Sequence, residues 1–411
     1  MNIESISLKN FRVIKQADIE LNGKNTVLFG VNGVGKSTIL HAANILFAGL
    51  LHDVNSARPW GNVSLQKTDI AFGNTTCEVK GNFILEDQSI IPYKQAIDDK
   101  KTHVDDDMKS LPQKFRTLFL KNERANMPIF CSYFVDRQVS DIAPQKSLHQ
   151  YDKLSALEHT LESRVDFNQF FTWLLNRKSR EIDVQKENPG FSDNQLDVVR
   201  MAIMSMIDDI VDLEFYAESP YITVKKDDMV LAFDQLSDGE KCMLSLFGDI
   251  ARRLVIANPT AVNPLHGKGI ILIDEIELHM HTTWQRRVLS VLHEIFPYIQ
   301  FIITTHSPQV LGEIGENYHI YAVIGDAKNV TFMPVDSLKG WDSNYILEEF
   351  MGTPHMNEET KTMIVNMNDC ILENRLDEAE KYADKLEKLT DSANSEVVKA
   401  RILIARGRRR S

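Results

Sequence analysis

The chain has 411 residues, a formal net charge of −12 and 43% apolar residues. That supports a sizeable core, in one large domain with insertions or in about two to three smaller units. The acidic balance argues against a surface coated with nucleic acid but leaves room for a local basic groove. No apolar run reaches membrane-spanning length and Met1 opens directly into a strand pattern, so a soluble, cytoplasmic protein with no membrane contact is expected. Cys77, Cys131, Cys242 and Cys370 lie far apart without a C-x-x-C pair, which fits a reducing compartment and leaves out a zinc ribbon or disulfide framework.

In chain order, residues 1–95 read as strands around a glycine-rich loop. Ile3 to Leu8 and Val13 to Ile19 form a pair joined near Lys9–Arg12, and Cys77 to Leu85 alternates at period two as a half-buried strand. Residues 96–125 are charged and irregular, and read as a solvated insertion of low order. Pro128 to Phe134 returns to strand. Residues 150–215 are expected to be mainly helical, interrupted at Asn188-Pro189-Gly190. Tyr221 to Phe233 reads as a hairpin turning at Lys226-Asp227-Asp228. Residues 236–310 alternate helix and strand, and 345–406 are almost purely helical with a break at Asn374.

Gly30-Val31-Asn32-Gly33-Val34-Gly35-Lys36-Ser37 fits G-x-x-x-x-G-K-[ST]. The strand-like Thr26 to Phe29 enters it and the helix-like Thr38 to Phe47 leaves it. Glycines let the backbone curl so that successive N–H groups face phosphate oxygens, and the helix N-terminus adds partial positive charge. The expected nucleotide-binding set is Asn32, Gly33, Gly35, Lys36, Ser37 and Thr38. Lys36 would reach the β- and γ-phosphates of ATP, and the Ser37 hydroxyl would ligate Mg²⁺.

Ile270-Ile271-Leu272-Ile273-Asp274-Glu275 is a buried-strand pattern ending in two carboxylates. Open α/β sheets place ligands at the C-terminal ends of such strands. Asp274 is expected to hold Mg²⁺ and Glu275 to polarise the attacking water as general base. The following strand, Gln300 to Thr305, ends at His306, which is placed to sense a γ-phosphate. Ser237 and Glu240 form an S-x-x-E capping box that opens a helix from Cys242 to Leu254.

Leu236-Ser237-Asp238-Gly239-Glu240-Lys241 also resembles the signature sequence of the ATP-binding-cassette superfamily. That resemblance implies that Ser237, Gly239 and Glu240 meet the γ-phosphate bound by another subunit. It therefore implies a homodimer or higher homo-oligomer of heads, paired head-to-tail around two nucleotides. With Leu8-Lys9-Asn10-Phe11-Arg12 and the segment Asp274 to Gln285, the chain resembles the RecF/SMC/OLD-like branch. By that resemblance Arg12 approaches the phosphates, Gln138 couples Mg²⁺ to the lobe interface, and His279 and His281 fall in the inter-subunit region. A His-x-His metal site beside the carboxylates is an alternative for the last two.

The chain departs from that branch in having no long heptad-bearing arm, no second acidic nuclease domain and no HNH-like cluster. Met351-Gly352-Thr353 and the helical stretch around Leu376-Asp377-Glu378-Ala379-Glu380 resemble the C-terminal part of PtuA-like ATPases of Septu-type and retron-associated antiphage systems. Leu376, Ala379, Ala383, Leu386 and Leu389 give one apolar helix face, which packs on the chain's own ATPase domain or docks a partner or another copy. Arg406, Arg408, Arg409 and Arg410 form a basic end, read as a solvated disordered tail or a phosphate contact.

The expected fold is α/β, a P-loop NTPase of ABC-ATPase head type with mixed sheets, a short helical insertion and a C-terminal helical extension. Boundaries are expected at 149/150, 215/216 and 344/345. The function implied is an ATP-hydrolysing subunit, using ATP and Mg²⁺, that controls a separate HNH-type nuclease in antiphage defence. The alternatives are a RecF-like DNA clamp in repair, with Arg177-Lys178-Arg180 and Lys225-Lys226 touching the backbone, and an ATPase scaffold that senses a phage protein.

Overall fold

A computed structural model of the chain describes residues 1–61, 63–98, 102–103, 110–122, 124–137, 139, 142–145, 151–162, 167–207, 209–325, 330–354, 356–390 and 394–409. These form two units, residues 1–341 and residues 342–411.

The first unit opens with β1 (Asn2–Phe11) and β2 (Ile14–Glu20), antiparallel with Leu8 opposite Ala17 and Ile6 opposite Ile19. The fully buried β3 (Asn25–Phe29) leads into α1 (Lys36–Val54). Next come β4 (Thr76–Ile84), β5 (Ile90–Asp98), β6 (Thr102–His103), α2 (Ser110–Phe115) and β7 (Ile129–Tyr133). Helices α3 (Asn168–Gln185) and α4 (Asn194–Met204) precede the short strands β8 (Asp212–Phe215), β9 (Ile222–Lys226) and β10 (Met229–Ala232). The remainder is α5 (Asp238–Ala257), β11 (Gly269–Ile273), α6 (Thr282–Gln285), α7 (Val288–Ile295), β12 (Ile299–Thr305), α8 (Pro308–Leu311), β13 (Tyr318–Gly325) and β14 (Val330–Val335).

One sheet is antiparallel, in the order β2-β1-β4-β5-β6, and a small one runs β10-β9-β8. The main sheet runs β14-β13-β3-β12-β11-β7, parallel except for β14. Its central strands β3, β11 and β12 are buried throughout, which is why their sequences are continuous apolar runs rather than alternating ones. Helix α1 packs against β4 and β5 on one side and β11 and β12 on another. It is mostly apolar from Ile39 to Leu51 because that stretch is largely buried. Phe47 shows the arrangement: its ring lies 5.1 Å from Phe130 of β7 and 6.3 Å from Phe83 of β4. The strand order therefore puts the ends of β3, β12 and β11 side by side, and these carry the phosphate loop, His306 and Asp274-Glu275 respectively.

Two expectations need correction. Residues 96–125 are more ordered than their charge suggests: β5 runs through Asp98, and residues 110–120 form α2 continued by a π-helical turn. Leu111, Phe115 and Phe119 recur every four residues and are buried, with the Phe115 ring 5.9 Å from Phe130. Their charged neighbours mask that stripe in the sequence. Residues 99–101 and 104–109 lie outside the described residues. The helical insertion also ends earlier than expected, because Leu213 and Phe215 alternate inward as strand β8.

The second unit contains α9 (Ser343–Met351), α10 (Glu358–Leu372), α11 (Leu376–Leu389) and α12 (Ser395–Arg408). Side chains of Asp342, Asn357 and Asn394 cap α9, α10 and α12. Asn374, at φ 59°, breaks α10 from α11, as the sequence suggested. Within this unit the apolar face of α11 is covered by its neighbouring helices. Ala383 and Leu386 join Met367, Val397 and Ala400 in a core shared with α10 and α12, while Ala379 joins Cys370 and Ile404. Leu389 is exposed. The basic end is helical rather than disordered: Arg406 and Arg408 belong to α12, and Arg408 pairs with Asp377 at 2.7 Å and Glu380 at 2.6 Å. Arg410 lies outside the described residues.

Candidate nucleotide site

The phosphate loop follows β3 directly. Gly30 is at φ 147° with its backbone tight against the Val323 carbonyl of β13, where a side chain would collide. Gly35, at φ 107°, is the N-cap of α1, and Val13 of the β1–β2 turn lies beside it. Gly33, at φ 80°, faces open space, and Asn32 and Gly33 are exposed at the loop tip. Buried Thr38 donates its backbone N–H to the Gly35 carbonyl at 3.1 Å.

Lys36 is 4% exposed, and its ammonium donates to the carbonyls of Gly30 at 3.0 Å and Val31 at 2.9 Å. His306 Nδ1 lies 3.3 Å from the same nitrogen. Burial pushes the Lys36 ammonium down to about 8, against the pull of Glu275, Asp274 and Glu277. The Ser37 hydroxyl donates to Asp274 Oδ1 at 2.9 Å, and the Thr304 hydroxyl donates to the same oxygen at 2.5 Å. Thr304 Oγ1 also accepts the Glu275 backbone N–H at 2.8 Å. One hydroxyl on β12 thus ties down both carboxylate residues that end β11. Glu275 sits at φ 48°, in the left-handed region, and its Oε1 lies 3.5 Å from His306 Nε2.

Three further groups belong to the site. Glu277 accepts from the Thr305 hydroxyl at 2.8 Å and from the His306 backbone N–H at 2.5 Å, fixing the start of the segment that carries the imidazole. Arg137, fully buried, donates to the Asp274 carbonyl at 2.5 Å and the Glu275 carbonyl at 2.6 Å. His41, one turn beyond Ser37, stacks on Phe134 with ring centroids 4.4 Å apart, and burial followed by the Arg12 charge holds it below the ordinary histidine value. The sequence signals for Glu277, Thr304 and Arg137 were faint: a carboxylate two residues past Glu275, a threonine pair ending an apolar strand, and an arginine after an apolar one.

Of the expected set, Lys36, Ser37, Asp274, Glu275 and His306 form one connected cluster. Arg12 is on the turn beside the loop, but its guanidinium pairs with Asp69 at 2.8 Å. Ser237, Gly239 and Glu240 form a second cluster at the start of α5. There the Ser237 N–H donates to Glu240 Oε2 at 2.9 Å, Lys226 pairs with Glu240, and Gly239 abuts the His279 carbonyl so closely that a side chain would collide. Gln138 lies outside the described residues.

These groups suit a nucleotide with a divalent cation. The loop offers open space at Gly33 and an ammonium held on loop carbonyls that phosphate oxygens would replace. The Ser37 hydroxyl and Asp274 carboxylate, already 2.9 Å apart, are the hard oxygen donors such an ion takes.

Residues 26–312 match the family described as "AAA domain, putative AbiEii toxin, Type IV TA system". The chain belongs to this AAA-domain family. The AAA-domain chain is 28% identical to "Retron Ec83 probable ATPase" of Escherichia coli, over 88% of this chain and 78% of that one. It is 28% identical to "Retron Vc95 probable ATPase" of Vibrio cholerae serotype O1 biovar El Tor, over 76% and 71%. It is 22% identical to "Septu protein PtuA" of Bacillus thuringiensis, over 85% and 84%. Among solved structures, an SMC head bound to the C-winged helix domain of ScpA matches with a TM-score of 0.50 at 15% identity, covering 82% of this chain and 98% of that one. That likeness is one of fold. Among the described residues no helix is long and apolar enough to cross a membrane.

Proposed function

We propose that this chain is an ATP-hydrolysing head of an antiphage defence assembly. It pairs head-to-tail with another copy around ATP and Mg²⁺ and controls a separate HNH-type nuclease. One observation carries the hydrolytic reading: three neighbouring strand ends bring Lys36 to His306, His306 to Glu275, and Ser37 to Asp274. The retron and Septu relatives support the defence setting.

Lys36 draws the β- and γ-phosphates into the loop, with backbone N–H groups of Gly33 to Thr38 around them. Ser37 and Asp274 would hold the Mg²⁺, whose charge offsets that of the phosphates. Glu275 accepts a proton from the attacking water, and His306, between Glu275 and Lys36, contacts the terminal phosphate. The capped start of α5, at Ser237 and Gly239, offers its N–H groups to the γ-phosphate of the paired head. ATP-bound heads stay closed and restrain the nuclease, and loss or hydrolysis of ATP changes their packing and releases it on DNA.

Of the basic clusters on which the rival DNA-clamp reading relied, Arg177 pairs with Asp193 at 2.6 Å, Lys178 with Glu181 at 2.6 Å and Lys226 with Glu240, while Arg180 and Lys225 are exposed. The test is to co-express the chain with its neighbouring open reading frames, purify the assembly, and measure phosphate release and nuclease activity with and without ATP. Phosphate release abolished by Glu275→Gln, with an HNH-type protein in the assembly, supports the proposal. A defence-proficient assembly without any nuclease overturns the nuclease-control part of it.

A further inference from the structure

Glu275 is a non-glycine residue in the left-handed region at φ 48°, at the one point where a carboxylate must be aimed. Something has to hold that backbone. Thr304 takes its N–H, and the Leu278 N–H bonds its carbonyl at 2.9 Å. The remaining grip is Arg137. Its Nη1 donates to the Asp274 carbonyl at 2.5 Å and its Nη2 to the Glu275 carbonyl at 2.6 Å, with the Ile276 carbonyl 3.5 Å from Nη2. A planar fork across successive carbonyls fixes the orientation of both peptide planes, which a lysine point charge does not.

Arg137 is also an unusual residue to bury. It is fully enclosed, and its Nε has no hydrogen-bond partner among the described residues. It donates to main-chain carbonyls, the fourth of them that of Phe134 at 3.4 Å. Burying a permanent cation on neutral oxygens is costly, and well-packed apolar residues do as well for stability alone. Arg137 follows β7, and its charge acts on the buried thiol of Cys242 in α5, the helix opened by Ser237 and Glu240.

We infer that Arg137 is a positioning residue for hydrolysis: by clamping the Asp274 and Glu275 carbonyls it holds Glu275 in the backbone conformation that aims its carboxylate. The inference rests on the ATPase reading above. Arg137 touches neither nucleotide nor water itself.

The test is steady-state phosphate release by the full chain and by Arg137→Ala, with nucleotide affinity measured separately using a fluorescent ATP analogue. Removing the clamp is expected to lower kcat about 100-fold, the loss typical of misplacing a reacting group by an ångström, while nucleotide affinity stays near wild type. Guanidinium at low, non-denaturing concentration should restore part of kcat in Arg137→Ala in a saturable way, where sodium chloride and urea do not. The Arg137→Ala/Glu275→Gln double variant should show no rescue. Wild-type kcat in Arg137→Ala overturns the inference, and so does a parallel loss of nucleotide affinity and kcat without rescue by guanidinium. Should Arg137→Ala fail to fold, Arg137→Lys decides: reduced kcat at unchanged nucleotide affinity supports the clamp, and wild-type kcat overturns it. Absence of hydrolysis by the wild-type chain removes the ATPase reading and the inference with it, whereas wild-type hydrolysis indifferent to Arg137 removes the inference alone.

Discussion

The Ser37 hydroxyl donates to Asp274 Oδ1 at 2.9 Å, joining the first turn of α1 to the end of β11. The two residues lie 237 positions apart, and β12 separates β3 from β11 in the sheet. The contact brings both oxygen donors expected for Mg²⁺ to one point. Thr304, on the intervening strand, donates to the same carboxylate oxygen and sets its direction.

Thr304→Val keeps the shape of the side chain and removes both of its bonds, to Asp274 Oδ1 and from the Glu275 N–H. Leaving those buried groups unpaired is expected to cost about 1–3 kcal/mol of stability. Hydrolysis should fall by about tenfold or more as the two carboxylates lose their common anchor. Thermal unfolding and phosphate release, measured on one preparation, check both.

Glu275→Gln is expected to lower kcat by about 10²- to 10⁴-fold, the range for removing a general base, with ATP binding retained. His306→Ala removes the group 3.5 Å from Glu275 Oε1 and 3.3 Å from Lys36 Nζ, and should lower kcat as well. Single-turnover phosphate release with pre-bound ATP separates both effects from binding.

The Lys36 ammonium in the free protein is pushed down to about 8 by burial. Bound phosphates favour its charged form, so binding takes up a proton once the pH exceeds that value. ATP affinity should be flat below about pH 7 and fall by up to tenfold per pH unit above about pH 8. Stability has the opposite sign. Because the folded value lies below the unfolded one, the nucleotide-free chain gains stability from Lys36 as pH rises from about 8 towards 10.5. Nucleotide titration and melting across this range test the pair of slopes, and Lys36→Arg should flatten both.

Asp249 of α5 is buried with Arg252 at 2.6 Å, Arg253 at 2.8 Å and the Tyr133 hydroxyl at 2.8 Å. Burial raises its carboxyl, but the two guanidinium groups outweigh that and hold it at about 2. Its contribution is therefore fully present above about pH 4 and lost as pH falls through about 2. Asp249→Asn leaves two buried cations without a counter-charge and should cost about 3–5 kcal/mol at neutral pH, read by denaturant unfolding.

The parts of the site that share one local pattern were legible from sequence. The phosphate loop needs its glycines, lysine and serine in consecutive positions, and Asp274-Glu275 must end an apolar strand, so each is written in a few residues. Arg137, Thr304 and Glu277 were not legible, because their role depends on strand order. Thr304 matters only because β12 lies between β3 and β11, and Arg137 only because β7 lies beside β11. The stripe Leu111–Phe115–Phe119, along α2 and the turn that continues it, was hidden by its charged neighbours. The apolar face of α11 was visible, but its cover was not: spacing shows that a face is buried, not which helices of the same unit bury it.

The most direct test of paired heads is the solution mass of Glu275→Gln, measured by mass photometry with no nucleotide, with ADP and with ATP and Mg²⁺. The expected result is assembly of heads into pairs with ATP that is weakened with ADP and abolished by Ser237→Arg, which places a bulky side chain at the exposed start of α5. An unchanged mass in all three nucleotide states, or pairing indifferent to Ser237→Arg, would contradict head-to-tail closure on ATP.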